Sequence, residues 1–116
     1  MNHEVLRSAA CDRDLSLIFD KLSEAYEDLG DSPCEAFKRA SARVRSILDD
    51  MEALGSVPFQ GTLWSDQLPD LHWVTKNRMI FYFQIDDAAA VVRILAVFFG
   101  GQDHRMKMLL RLSDID

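Results

Sequence analysis

Between Asp12 and Gly30 the apolar positions Leu15, Ile18, Phe19, Leu22, Tyr26 and Leu29 recur at i, i+3, i+4 spacing. That spacing puts them on one face of a helix, with Asp14, Glu24, Glu27 and Asp28 mostly off it. Gly30 is the natural stop. A second helix opens with clear punctuation: Ser32 to cap it, Pro33 at its first position and Glu35 completing a capping box. Its apolar stripe is Phe37, Ala40, Val44, Ile47, Leu48, Met51 and Leu54, and Gly55 ends it. Two amphipathic helices joined by the short Gly-Asp-Ser turn predict an antiparallel helical hairpin. Both stripes need a surface to pack on.

The pattern changes after Gly55. Residues 55–69 hold Gly55, Pro58, Gly61 and Pro69 and read as an ordered loop anchored by Phe59, Leu63 and Trp64. Leu71 to Thr75 predicts a strand, Lys76-Asn77 a tight turn, and Arg78 to Ile85 a second strand. Asp86-Asp87 turns the chain into a third strand, Ala89 to Phe99, whose nearly continuous apolar run predicts a central position. Gly100-Gly101 breaks it, and Asp103 to Leu112 predicts a short amphipathic helix, with Asp103 at the end where negative charge is favoured. Residues 3–7 carry a weak first-strand signal. The expected fold is therefore α+β: one domain over residues 1–116, with an N-terminal helical hairpin on one face of a three- to four-stranded antiparallel sheet and a short C-terminal helix.

Composition narrows the chemistry. The net charge is −6 and unevenly placed: residues 1–60 hold seven Lys/Arg against twelve Asp/Glu, and residues 61–116 six against seven. Non-specific nucleic-acid binding needs clustered cations, so charge alone will not hold RNA or DNA here. No apolar run reaches the roughly 18 residues that span a bilayer, and no export signal precedes the first helix. A cytoplasmic protein is expected, with Cys11 and Cys34 as reduced thiols. His3, His72 and His104 are scattered, and none stands at ligand spacing from a Cys or carboxylate. Neither a metal nor a cofactor is expected.

The stretch from Leu71 to Arg105 carries a more specific pattern. An Arg-aliphatic-x-Tyr strand (Arg78 to Tyr82) is followed by the acidic turn Asp86-Asp87. An aliphatic strand bearing the single Arg93 comes next, and then Gly100-Gly101-Gln102-Asp103. In this order the pattern resembles the RelE/ParE toxins, whose usual helix pair also stands upstream. The resemblance implies the toxin of a type II toxin–antitoxin (plasmid stabilisation) module, with a cognate antitoxin as partner. It leaves two modes of action open: binding and inhibition of a target such as DNA gyrase, or metal-independent, ribosome-dependent cleavage of mRNA. A third reading is a family member that has kept the fold and acts only as a binding module.

Cleavage requires proton transfer and cations converging on one phosphate. Arg78 matches one basic position of the nuclease branch, and His104 can supply a titrating group. The second basic position falls at Gly101-Gln102, which is uncharged, so the binding mode is favoured. Arg78 and His104 are the catalytic candidates if the chain is a nuclease. Lys76, Trp73, Tyr82, Arg105 and Lys107 are the candidates for holding a target or an antitoxin. Tyr82 is expected to share a strand face with Arg78, Ile80 and Gln84. Arg93, set within an apolar strand, needs an acidic partner, with Asp86 or an acid of the helices expected. The C-terminal helix is either docked on the core or a segment that an antitoxin covers or displaces.

Overall fold

The computed structural model describes residues 2–101 and 103–113. Its elements are β1 (Glu4–Arg7), α1 (Ala9–Asp28), α2 (Pro33–Ala53), β2 (Thr62–Leu63), β3 (Leu71–Lys76), β4 (Met79–Asp86), β5 (Val91–Phe99) and α3 (His104–Ser113). The α+β expectation holds. The strands form one five-stranded sheet in the order β1-β5-β4-β3-β2.

Two details of the sheet differ from expectation. It is mixed rather than antiparallel, because β1 runs parallel to β5, with Glu4 opposite Val91 and Arg7 opposite Ile94. The helical hairpin between them makes the long crossover that a parallel pair requires. The predicted loop also contributes a strand: Thr62 and Leu63 pair antiparallel with Trp73 and His72. Phe59 and Leu63 are 65% and 56% exposed, so of the three expected loop anchors only Trp64 packs on the core.

The helix boundaries follow local chemistry. Ser8 caps α1, its hydroxyl accepting from the Cys11 N–H at 3.0 Å, so the helix begins ahead of the periodic stretch that starts at Asp12. At the other end the Gly30 N–H bonds the Glu27 carbonyl and the Asp31 N–H bonds that of Tyr26. This closure needs the left-handed residue that Gly30 supplies at φ 111°. Ser32 caps α2 by accepting from the Glu35 N–H at 3.2 Å.

At about 1.5 Å per residue, helices of 20 and 21 residues are some 30 Å long. At the tip of the hairpin the two helices pack on each other. Ala36 and Ala40 are buried there, and Phe19 meets Phe37 edge-on at 5.5 Å, but Leu29 and Phe37 stay 79% and 59% exposed. Leu29 and Phe37 are thus left largely uncovered by the described residues.

The β3–β4 turn is centred on Asn77 and Arg78, not Lys76 and Asn77. Both residues have positive φ, 49° and 68°, the conformation of the two-residue turn that matches strand twist. The strain at Arg78 is held by its surroundings: its carbonyl accepts from the Gly100 N–H, Asn77 donates to Asp50, and Arg43 donates to the Asn77 carbonyl. Arg78 is thereby taken out of β4, and the shared strand face with Tyr82 is lost. Likewise Ala90 sits in the β4–β5 turn at φ 53°, so β5 begins at Val91.

The sheet is covered on both faces, by the helical hairpin on one and by α3 and Trp64 on the other. Alternate residues of β4 feed two cores. Met79, Phe81, Phe83 and Ile85 pack with Leu15, Ile18, Ile47 and Met51 beneath the helical hairpin. Ile80 and Tyr82 pack with Leu71, Ala96, Phe98 and Met108 on the opposite face, beneath α3 and Trp64. The C-terminal helix is docked through Met108, which is fully buried. Arg93 does find Asp86, at 3.5 Å, on an exposed part of the sheet.

Candidate functional site

On the face away from the helical hairpin, four of the expected residues converge. Tyr82 lies at the centre, projecting from β4 and fully buried. Trp73 comes from β3, opposite Tyr82 in the ladder. His104 and Arg105 open α3, whose start is set by Asp103: its carboxylate accepts from the Met106 N–H and its carbonyl from the Lys107 N–H. The Tyr82 hydroxyl and His104 Nδ1 are 2.7 Å apart. The Trp73 ring stands 5.1 Å from the His104 ring and 6.4 Å from that of Tyr82.

Trp64 joins the group from the loop after β2, 6.1 Å from the Tyr82 ring. Its N–H bonds the Leu71 carbonyl at 2.7 Å. The loop can press this close because Gly61, at φ 83°, lacks a side chain: a Cβ there would lie 2.3 Å from the Trp73 carbonyl oxygen. The Arg105 guanidinium sits over both indoles, 5.5 Å from the Trp64 ring and 5.7 Å from that of Trp73. The Trp73 indole N–H is buried without a hydrogen-bond partner among the described residues.

Burial sets the protonation of the pair. It pushes the Tyr82 hydroxyl up to about 12, against the opposing pull of Arg105. Burial first and the Arg105 charge second hold His104 below its ordinary 6.5. Both groups are therefore neutral at pH 7, with the hydroxyl and the imidazole sharing one hydrogen bond. A folded pKa below the unfolded one means that the stability linked to His104 is present above pH 6.5 and is lost as pH falls through the folded value. An NMR titration of His104 is expected to give a midpoint below 6.5, and Arg105→Ala to raise it. A midpoint at or above 6.5 in the native chain would contradict the buried, like-charged setting.

The remaining expected residues lie elsewhere. Lys76 ends β3 and Arg78 occupies the turn, and neither makes an ion pair among the described residues. Four residues of extended strand, about 13 Å, separate Arg78 from Tyr82, so the two catalytic candidates Arg78 and His104 are not brought together. Gln102, the second half of the uncharged position, lies outside the described residues. Lys107 projects from another side of α3, its ammonium 5.8 Å from the Phe98 ring. No group of three or more His, Cys, Asp or Glu that could hold a metal is found among the described residues, and no helix among them is long and apolar enough to cross a membrane.

Sequence reasoning missed a buried ion pair. Asp14, 6% exposed, takes both nitrogens of Arg111 at 2.6 and 2.7 Å and the Val97 N–H at 3.1 Å. The signal was present: Asp14 stands three residues after Cys11 and four before Ile18, inside the buried stripe rather than off it. A carboxylate there requires a cation from elsewhere in the chain.

No family model and no curated protein matches the chain. Solved structures do. A chain of the toxin–antitoxin complex RelBE2 from Mycobacterium tuberculosis superposes with a TM-score of 0.61 at 15% identity, over 88% of this chain and 95% of that one. A chain of the chromosomal ParDE toxin–antitoxin system from P. aeruginosa gives 0.62 at 18% identity, over 84% and 96%. At such identities the likeness establishes the fold, and the RelE/ParE-like architecture expected from the C-terminal pattern is the one observed.

Proposed function

We propose that this chain is the toxin component of a type II toxin–antitoxin module, acting in the cytoplasm, neutralised by a cognate antitoxin and inhibiting a cellular target, such as DNA gyrase, by binding it. The observation that carries the reading is a fold shared almost end to end with chains of two toxin–antitoxin assemblies. Binding is favoured over cutting by the charge around Tyr82 and His104. Phosphoryl chemistry needs several cations aimed at one phosphate. Here the pair has Arg105 beside it, while Arg78 lies in the β3–β4 turn. The aromatic surface made by Trp64 and Trp73, with a guanidinium over it, has the composition of a protein-binding hot spot.

Cleavage of mRNA is the second reading, and the Tyr82–His104 hydrogen bond favours it, because a neutral imidazole can take a proton. The two separate in one experiment: induced expression with and without the adjacent small open reading frame, following growth, plasmid supercoiling and RNA 5′ ends. The binding reading expects growth arrest relieved by the neighbour, altered supercoiling and intact RNA. It also expects that the exposed-site variant Arg105→Glu abolishes arrest while Arg78→Ala retains it. Discrete RNA ends lost on His104→Ala would establish the nuclease instead, and absence of arrest would sink both.

A further inference from the structure

The helical hairpin packs its inner face on the sheet through Ile18, Ile47 and Met51. Its outer face carries an apolar seam where the two helices meet. Phe19 and Phe37 touch edge-on there, and Phe19 shares a shallow depression with Leu15, Val44 and Asp20, lined by residues of α1 and α2 alone. Phe37 is 59% exposed, and Phe19 and Val44 are half-buried. The sheet separates this face from the Tyr82 cluster.

Charged side chains border the seam in a regular order. On α1, Arg13, Asp20 and Glu27 recur at intervals of seven residues, and on α2 Lys38, Arg45 and Glu52 do the same. Seven residues fall about 20° short of two full turns, so each triplet forms one stripe. Asp20 lines the seam, which places the α1 stripe beside it. Lys38 and Arg45 directly follow Phe37 and Val44, about 100° further round α2, which places the second stripe on the opposite rim. All six side chains are exposed, and none makes an ion pair among the described residues. Because the helices run antiparallel, the order from the sheet end to the tip is positive, negative, negative on α1 and negative, positive, positive on α2. The two rims are opposite in sign at each step.

We propose that a second copy of this chain docks on this face, the two hairpins meeting as a four-helix layer about a two-fold axis that runs along the seam. A two-fold contact needs a surface complementary to itself. Rotation about this axis lays α1 of each copy over α2 of the other at the same height, so each stripe meets its opposite, as flanking charges choose partners in coiled coils. A two-fold axis crossing the seam instead sets Asp20 against Asp20 and Arg45 against Arg45, which charge disfavours. The Phe37 rings, exposed in one copy, are covered in the pair. A face about 30 Å long and two helices, roughly 20 Å, wide buries about 600 Å² on each copy. The total of about 1,200 Å² is at the lower end for a specific interface, so association is reversible and micromolar. Both Trp64–Trp73 surfaces stay uncovered, and the pair presents them twice.

The test is sedimentation velocity of the full chain across a concentration series through the micromolar range. A reversible monomer–dimer equilibrium is expected. Asp20→Lys with Glu27→Lys sets like charges on Lys38 and Arg45 and is expected to raise Kd about tenfold or more. Adding Lys38→Glu and Arg45→Glu exchanges the rims, leaves the net charge at −6, and is expected to return Kd to within about threefold of the parent. Phe37→Ser is expected to weaken the dimer by about tenfold or more. The substituted side chains are exposed, and an unchanged thermal transition verifies that each variant folds. A monomer throughout the series, a Kd indifferent to the first pair of reversals, or a folded fourfold variant that fails to recover would each overturn the proposal. The purified chain is read without antitoxin or target and growth arrest is not followed, so failure of the dimer and failure of the toxin reading are told apart.

Discussion

Replacing Asp14 with alanine is expected to lower the unfolding free energy by about 3 kcal/mol, the low end of the 3–5 kcal/mol typical when one partner of a buried ion pair is removed. The carboxylate accepts three hydrogen bonds, two from Arg111 and one from the Val97 N–H. Without it the guanidinium keeps, among the described residues, the Leu95 carbonyl and the Phe98 ring, and the Val97 N–H is left on an edge where β1 has ended. Each such loss costs desolvation that nothing repays. The low end applies because the Arg111 side chain is 24% exposed and water can re-solvate part of its charge. For a domain of this size the loss corresponds to a fall in Tm of roughly 10 °C or more. The double variant Asp14→Leu with Arg111→Met is expected to recover most of it, since both desolvation costs vanish together. Urea unfolding of the three variants decides the matter. A single variant within about 1 kcal/mol of the parent would mean that the pair is effectively solvated.

Phe81→Ala is expected to cost as much or more, about 3–5 kcal/mol. Phe81 is fully buried between the helical hairpin and the sheet, among Ile18, Ile47 and Met51, and its loss leaves a cavity that two long helices cannot collapse to fill. Met108→Ala probes the opposite core. Met108 is also fully buried, but it is the one buried residue of a ten-residue helix. The expected loss is about 2–3 kcal/mol. Denaturant midpoints measure both, and amide exchange adds a distinction: the Met108 variant should release α3 before the sheet, whereas the Phe81 variant should lower protection throughout. Equal, uniform loss of protection in both variants would show that the two cores do not open separately.

Much of the fold was legible along the chain, and the legible parts share one property: their determinants are neighbours in sequence. The helical hairpin follows from Ser32, Pro33, Glu35 and Gly30 acting on groups at most five residues away. The strands β3, β4 and β5 follow from runs of apolar residues between turns, and the Arg93–Asp86 pair spans a single β-turn. The candidate site was legible as residue types. Trp73, Tyr82, His104 and Arg105 were each singled out, but their convergence was not readable, because it depends on α3 folding back over the sheet. Lys76 ends β3 and lies apart from this cluster, and a shift of one residue in the turn that follows, held by α2 through Arg43 and Asp50, removed Arg78 from the face it was expected to share.

What the sequence determined by itself is therefore the helical hairpin, the strand meander, the α+β class and the chemical character of the aromatic face. Only the tertiary structure decided that β1 joins β5 in parallel across 80-odd residues, that a second core lies under α3, and that Asp14 meets Arg111. Caps and turns act within a few residues and are written locally. Pairings across most of the chain depend on which distant surfaces cover one another best once the loops between them have closed, and no local pattern specifies that choice.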